Sequence, residues 1–317
     1  MLLSIGYLAA GFVLLYAGGE GLVRGAGSIA LRFGLSPFII GMTIVAFATS
    51  TPELAVSLQA AVSGVDDLAI GNVVGSNICN IGLFLGICAV IRPAHIEMRI
   101  LRLDIPWMIF VTLLLVAFLS DGHISRPAGL VFLVGLAVFL YWNIQVARKE
   151  QEEERVRMEF EGIVPSLHRA AWIDWLLIAG GVVGLVLGGA AFVRGGVGLA
   201  EALGISSAVI ALTVVAIGTS LPELATGIVA SLKGDADIAV GNIIGSNFFN
   251  ILAILGITAV IHPLDRGGIT MVDLQTMLIF ALVLLPLVMV RQRIGRPEGL
   301  VLITGYIAYM AWLAGSA

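Results

Sequence analysis

The sequence predicts an all-α polytopic membrane protein with ten transmembrane helices, arranged as two inverted five-helix repeats with helices broken near mid-membrane. Three observations predict it: composition, the spacing of apolar runs, and a duplication at constant offset. Of 317 residues, 59% are hydrophobic and 12% charged, whereas a soluble domain is about half apolar and about a quarter charged. A net charge of -4 leaves no basic surface of the kind a nucleic-acid binder needs. The two cysteines, Cys79 and Cys88, exclude a disulfide framework or a thiolate metal cluster.

Taken in order, apolar runs fall near 3–32, 36–62, 68–91, 103–119, 128–147, 174–202, 206–232, 238–261, 272–290 and 298–315. Each is long enough to cross a bilayer, which needs ~20 residues. The first begins without a basic n-region, so it reads as a span and not as a cleaved signal. It and its counterpart at 174–202 are glycine-rich and longer than a vertical crossing needs, which predicts tilt. The second and seventh runs carry a Pro-Glu pair, and the third and eighth a GNxxGSN motif. The one sustained polar stretch, 148–170, is rich in Arg, Lys and Glu. It reads as a solvated linker, either a helical extension or a mobile loop, between repeats 1–147 and 171–317.

The duplication needs no gap. Adding 170 carries GMTIVAFATSTPELAVS (41–57) onto ALTVVAIGTSLPELATG (211–227), and GNVVGSNICNIGLFLG (71–86) onto GNIIGSNFFNILAILG (241–256). More than half of these positions are identical. The same offset relates Arg24 to Arg194, Pro93 to Pro263, Arg126 to Arg296 and Trp142 to Trp312. An odd number of spans per half makes the second half enter the membrane from the opposite side, which predicts an inverted repeat with its site near the midplane. With the N-terminus outside, only Arg126 and Arg266 of the 17 Lys and Arg residues fall outside; Arg24 and Arg194 lie within long spans. That bias places both termini outside and the linker in the cytoplasm.

Glu53 and Glu223 lie well inside apolar segments, where a carboxylate costs several kcal/mol unless it is partnered, protonated or lines a wet cavity. Each follows a proline, in Thr49-Ser50-Thr51-Pro52-Glu53 and Thr219-Ser220-Leu221-Pro222-Glu223. Proline removes a donor and clashes with the carbonyl a turn earlier. The helices should therefore break near 46–51 and 216–221 and free carbonyls such as those of Ala46 and Ala216. Carbonyls, hydroxyls and a carboxylate form the oxygen set that hard cations take. Ser76 and Asn80 share a helix face, as do Ser246 and Asn250, and add a hydroxyl and an amide oxygen from each half. Asn72, Asn77, Asn242 and Asn247 serve equally well as ligands or as interhelical hydrogen-bonding groups. Transition metals want imidazole or thiolate, and the four histidines fall near loops or span ends. The oxygens favour calcium or sodium and do not choose between them.

At these residues the chain resembles the sodium/calcium exchanger family. ATSTPELAVS with GNVVGSNICN is similar to that family's first alpha-repeat, and IGTSLPELATG with GNIIGSNFFN to its second. The resemblance implies antiport of sodium against calcium by alternating access, with no cofactor, in a prokaryotic cytoplasmic membrane, and a monomer suffices. It makes Glu53 and Glu223 calcium ligands, joined by Thr49 and Thr219. It puts Ser50, Ser76, Ser220, Ser246 and the carbonyls of Ala46 and Ala216 around sodium, and has spans 1 and 6 slide. Some relatives carry aspartate where this chain has Asn80 or Asn250, which points away from potassium co-transport. A proton/calcium antiporter on the same scaffold is the nearest alternative, since a buried glutamate readily takes a proton. A cation channel is further off. An intramembrane enzyme is excluded by the lack of HExxH or a mid-membrane histidine.

Overall fold

The computed structural model describes residues 2–96, 98–161, 170–203, 216–289 and 291–316. The end of the expected linker (162–169) and the start of the expected 206–232 span (204–215) lie outside the described residues.

Helix α1 runs Leu2–Phe33, about 48 Å at 1.5 Å per residue, well over the ~30 Å hydrocarbon core. Ser36 caps α2 (Pro37–Ile40) by accepting from the Ile39 amide, with Pro37 in the first turn, where its missing N–H costs nothing. The helix passes through a π-helical stretch, Gly41–Val45, into α3 (Ala46–Thr49), and is interrupted at Ser50 before α4 (Thr51–Val62). Next come α5 (Asp66–Cys79), a π-helical stretch Asn80–Leu85 and α6 (Gly86–Ile91). A third π-helical stretch, Ile100–Asp104, leads into α7 (Ile105–Ser120). Helix α8 (Arg126–Glu161) continues unbroken into the charged stretch, so the linker begins as a helical extension. In the second half follow α9 (Ala171–Ala202), the short α10 (Ala216–Gly218), α11 (Leu221–Lys233) and α12 (Ala236–Phe248). A π-helical stretch Phe249–Leu255 precedes α13 (Gly256–Ile261), and α14 (Met271–Met289) and α15 (Arg296–Ser316) end the chain.

Among the described residues, 8 helices are long and apolar enough to span a bilayer, or 9 if the pair interrupted at Ser50 counts as one span. The spans carrying the GNxxGSN motifs are the most enclosed: over an 18-residue apolar window, 72% of the residues are buried in Asp66–Ile91 and 89% in Ala236–Ile261, against 17–44% in the other six. Ser76, Asn77, Asn80, Asn242, Ser246, Asn247 and Asn250 on those two spans are all buried.

The chain divides into two compact units, and neither is a sequence half. The first comprises Met1–Thr49 and Ala137–Asn242, the second Ser50–Leu136 and Ile243–Ala317. In the first unit, α1 and α9 pack antiparallel through glycines seven apart: Gly11, Gly18 and Gly25 on one, Gly181, Gly188 and Gly195 on the other. A seven-residue repeat keeps one seam turned toward the partner helix. The approach is backbone to backbone. A Cβ at Gly18 would lie 2.7 Å from the Leu185 nitrogen, and one at Gly188 2.7 Å from the Leu15 nitrogen. At the end of this seam the Arg32 guanidinium donates to Asp174 Oδ2 through Nε (3.3 Å) and Nη2 (3.1 Å), and Asp174 is fully buried. Arg24 and Lys233 both pair with Glu20, and Arg194 stands 5.1 Å over the Tyr7 ring. Each of these basic side chains thus has an acidic or aromatic partner.

In the second unit the duplication appears as exchanged contacts. Ala94–His95 pairs antiparallel with Arg293–Ile294, and His123–Ile124 with Leu264–Asp265. Arg126 Nε donates to the Val260 carbonyl at 3.2 Å, and Arg296 Nε to the Val90 carbonyl at 3.1 Å. Each contact becomes the other when 170 is added to its first-half member and subtracted from its second-half member.

Candidate ion-binding site

The two Pro-Glu segments fold alike. Ser50 and Ser220 are the N-cap residues of α4 and α11, at φ -82°, ψ 5° and φ -92°, ψ 7°. The proline falls in the first turn, and Glu53 and Glu223 follow within that turn. The sequence Ser-x-Pro-Glu is therefore a helix start as much as a helix break, and its S-x-x-E spacing is that of a capping box. Neither serine makes the side-chain capping bond that the pattern allows. Both glutamates are buried, at 1% exposure. A carboxylate in the first turn of a helix gains from the aligned peptide dipoles, typically ~0.3–1 kcal/mol. That offsets part of the cost of holding it in the membrane.

In the first unit, Thr49 ends α3 and is buried at 1% exposure. Its hydroxyl lies 3.1 Å from Asn242 Oδ1 and 3.3 Å from the Ala46 carbonyl, so one proton serves two acceptors. Ala46 is buried, and Ser220 and Glu223 are buried beside half-buried Thr219. Ala216 begins α10.

In the second unit, Glu53 heads α4 and Asn72 on α5 holds that helix in place. Asn72 Nδ2 donates to the Glu53 backbone carbonyl at 3.1 Å and to Ser57 Oγ at 2.9 Å. Ser76, Asn80, Ser246 and Asn250 are all at or below 3% exposure. Asn250 Nδ2 donates to Asn77 Oδ1 at 3.0 Å, and Asn247 Nδ2 to the Ile243 carbonyl of its own helix at 2.7 Å. The Ser246 hydroxyl, both polar atoms of Asn80 and Asn250 Oδ1 make no hydrogen bond among the described residues. Buried polar atoms of this kind are costly unless a ligand satisfies them, and oxygens among them fit a hard cation.

Sequence reasoning did not find the π-helical stretches at Asn80–Leu85 and Phe249–Leu255. Asn80 opens the first and Asn250 is the second residue of its counterpart. A π turn widens the helix by one residue and recurs at functional sites. Its one visible signal is the duplicated asparagine itself. Nor did it assign Asn242 to Thr49, because a bond between residues 193 apart has no sequence periodicity. Among the described residues no group of three or more His, Cys, Asp or Glu is placed to hold a metal, and Cys79 and Cys88 are buried and not joined in a disulfide.

Helix starts that bury glutamates, with hydroxyl and amide oxygens on the two most enclosed spans, define an integral membrane protein whose buried oxygens are of the kind hard cations take. Comparison with known proteins gives the family. The profile described as "Sodium/calcium exchanger protein" matches residues 3–145 and again 173–315. The chain is 38% identical to CaxA of Alkalimonas amylolytica, covering 100% of both proteins. It is 32% identical to the sodium/calcium exchanger MaX1 of Methanosarcina acetivorans, covering 96% of this chain and 97% of that one. The solved sodium-calcium exchanger NCX_Mj superposes with a TM-score of 0.83 at 30% identity, covering 98% of each chain. This chain belongs to the sodium/calcium exchanger family; it is a cation/calcium antiporter of the membrane, not an enzyme.

Proposed function

We propose that this antiporter exchanges sodium for calcium by alternating access, with Glu53 and Glu223 as the calcium ligands. The observation that carries this reading is the pair of fully buried glutamates, each in the first turn of a Pro-Glu helix start, 170 residues apart. Two carboxylates carry a charge of -2, which one calcium neutralises. Thr49 and Thr219 join them as calcium ligands. Ser50, Ser76, Ser220, Ser246, Asn80, Asn250 and the carbonyls of Ala46 and Ala216 hold sodium in the alternate loading state. An empty site keeps two buried charges that resist occlusion, so the protein switches only when loaded.

The architecture that goes with this function is ten spans in two inverted repeats, 1–147 and 171–317, joined by a cytoplasmic linker at 148–170, with both termini outside. The exchanged contacts in the second unit and the antiparallel pairing of α1 with α9 support it. The long helices α1 and α9 slide as the moving pair, and a monomer in a prokaryotic cytoplasmic membrane suffices.

The test is calcium-45 uptake into proteoliposomes loaded with sodium, beside sodium-free vesicles and vesicles with an imposed pH gradient. Sodium-dependent uptake that disappears in E223Q is the expected result. Uptake that follows the pH gradient and ignores sodium transfers the same site to proton/calcium exchange.

A further inference from the structure

We infer that Met277 and Asn77 fix the orientation of the Asn250 amide, so that its carbonyl oxygen and not its NH2 is presented to sodium. The inference rests on the reading of Asn250 as an ion ligand. An asparagine amide has an acceptor end and a donor end of nearly the same shape. Only the acceptor end attracts a cation. Nothing in the covalent structure of Asn250 decides which end faces the ion, so its neighbours must.

The chain of contacts begins at Met277. Its thioether sulfur is an acceptor with no proton to give. Asn77 Nδ2 approaches it at 3.9 Å, a distance at which sulfur still accepts a weak hydrogen bond. With its NH2 committed to sulfur, Asn77 turns its Oδ1 the other way. That oxygen accepts from Asn250 Nδ2 at 3.0 Å. Asn250 has then spent its donor end, and its Oδ1 accepts no hydrogen bond among the described residues. Met277, Asn77 and Asn250 are each 2% exposed or less, so water does not scramble the order. Flipping Asn77 would set its oxygen against the sulfur and its NH2 against the NH2 of Asn250. The polarity therefore runs one way, from thioether to amide to amide.

Asn80, the duplicate of Asn250, makes the contrast. Neither its Nδ2 nor its Oδ1 has a hydrogen-bond partner among the described residues. Asn77 has a duplicate too, Asn247, but that side chain donates to its own helix at the Ile243 carbonyl. Of the two equivalent ligand positions, one is preset for a cation and the other is left to adapt. A preset ligand lowers the ordering cost of binding. The neutral amide oxygen suits the monovalent ion, since calcium already satisfies the two carboxylates.

The experiment uses the full-length protein. Sodium-dependent calcium-45 uptake in proteoliposomes gives the half-saturating sodium concentration and the maximal rate. Sodium titration of the detergent-purified protein by calorimetry gives a second readout without turnover. N77A is expected to raise half-saturating sodium about fivefold, the worth of one hydrogen bond, with the maximal rate little changed. M277L, an apolar exchange of similar volume, shifts it in the same direction by less. In N250D the carboxylate has no donor end to misplace, so N77A and M277L lose their effect. If both act as strongly in N250D as in the parent, they pack the core and the inference is overturned. Should N77A fail to fold, M277L and M277L/N250D decide alone. N250A separates the two levels of the argument. If N250A weakens sodium while N77A and M277L are silent, the orienting role falls and the ligand reading stands; if N250A binds sodium like the parent, both fall.

Discussion

Asn72 and Asn242 occupy the same place in the duplicated sequence and do different work. Asn72 gives its NH2 to two acceptors on α4, the Glu53 carbonyl at 3.1 Å and Ser57 Oγ at 2.9 Å. Asn242 uses its oxygen, accepting from Thr49 at 3.1 Å, and its Nδ2 has no partner among the described residues. One substitution accounts for part of the difference. Ser57 corresponds to Gly227, so the second copy lacks the hydroxyl that receives the first asparagine's NH2. A duplicated motif therefore duplicates the glutamate-bearing helix start and not the network that braces it. The helix start of the first glutamate is tied to the neighbouring helix by the Asn72 amide.

Four experiments test that contrast. The largest effect belongs to the feature the copies share. E53Q and E223Q should each weaken calcium binding about 100-fold, or about 2.7 kcal/mol, measured by calorimetry on the purified protein. If one variant is nearly silent, the copies differ at the ligand level as well. Next is the glycine seam, shared by both copies. G18V and G188V force side chains into backbone at 2.7 Å and should each cost about 1–3 kcal/mol by overpacking, seen as lowered thermal unfolding temperatures in detergent. N72A removes two hydrogen bonds and should cost about 1–3 kcal/mol, where N242A removes one and costs about 1 kcal/mol. Equal losses in thermal unfolding would erase the distinction. The smallest effect is expected at the exposed arginine clamps. R126A and R296A each lose one surface hydrogen bond to a carbonyl and should match each other within about 0.5 kcal/mol.

Much of the fold is legible in the sequence because membrane spans are written locally. An apolar run of ~20 residues has few alternatives in lipid, and eight of the ten expected runs appear as single helices of spanning length. The interruption at Ser50 is legible because Pro52 acts on its own turn. The helix starts at Ser50 and Ser220 were legible too, as the S-x-x-E spacing, although proline drew attention to the break alone. The π-helical stretches were not. Whether a helix admits one extra residue depends on what packs around it, and every residue of Asn80–Leu85 except Leu83 is buried. The partners of these asparagines were not legible either. Asn72, Asn77 and Asn242 look alike in sequence, and only their neighbours at Ser57, Met277 and Thr49 distinguish them.

The membrane class, the duplication at 170 residues, the Pro-Glu segments and the oxygen-rich residues that suit a hard cation can be read from the order of the amino acids. These follow from composition and short-range chemistry, which act before any two distant segments meet. Tertiary structure alone decided that the compact units draw on both halves, so that α1 packs on α9 and Arg126 and Arg296 clasp each other's counterpart helices. It also decided the direction in which each buried amide points. The helix pairings depend on complementarity between surfaces more than a hundred residues apart, and a hydrogen bond takes its direction from the partner it finds.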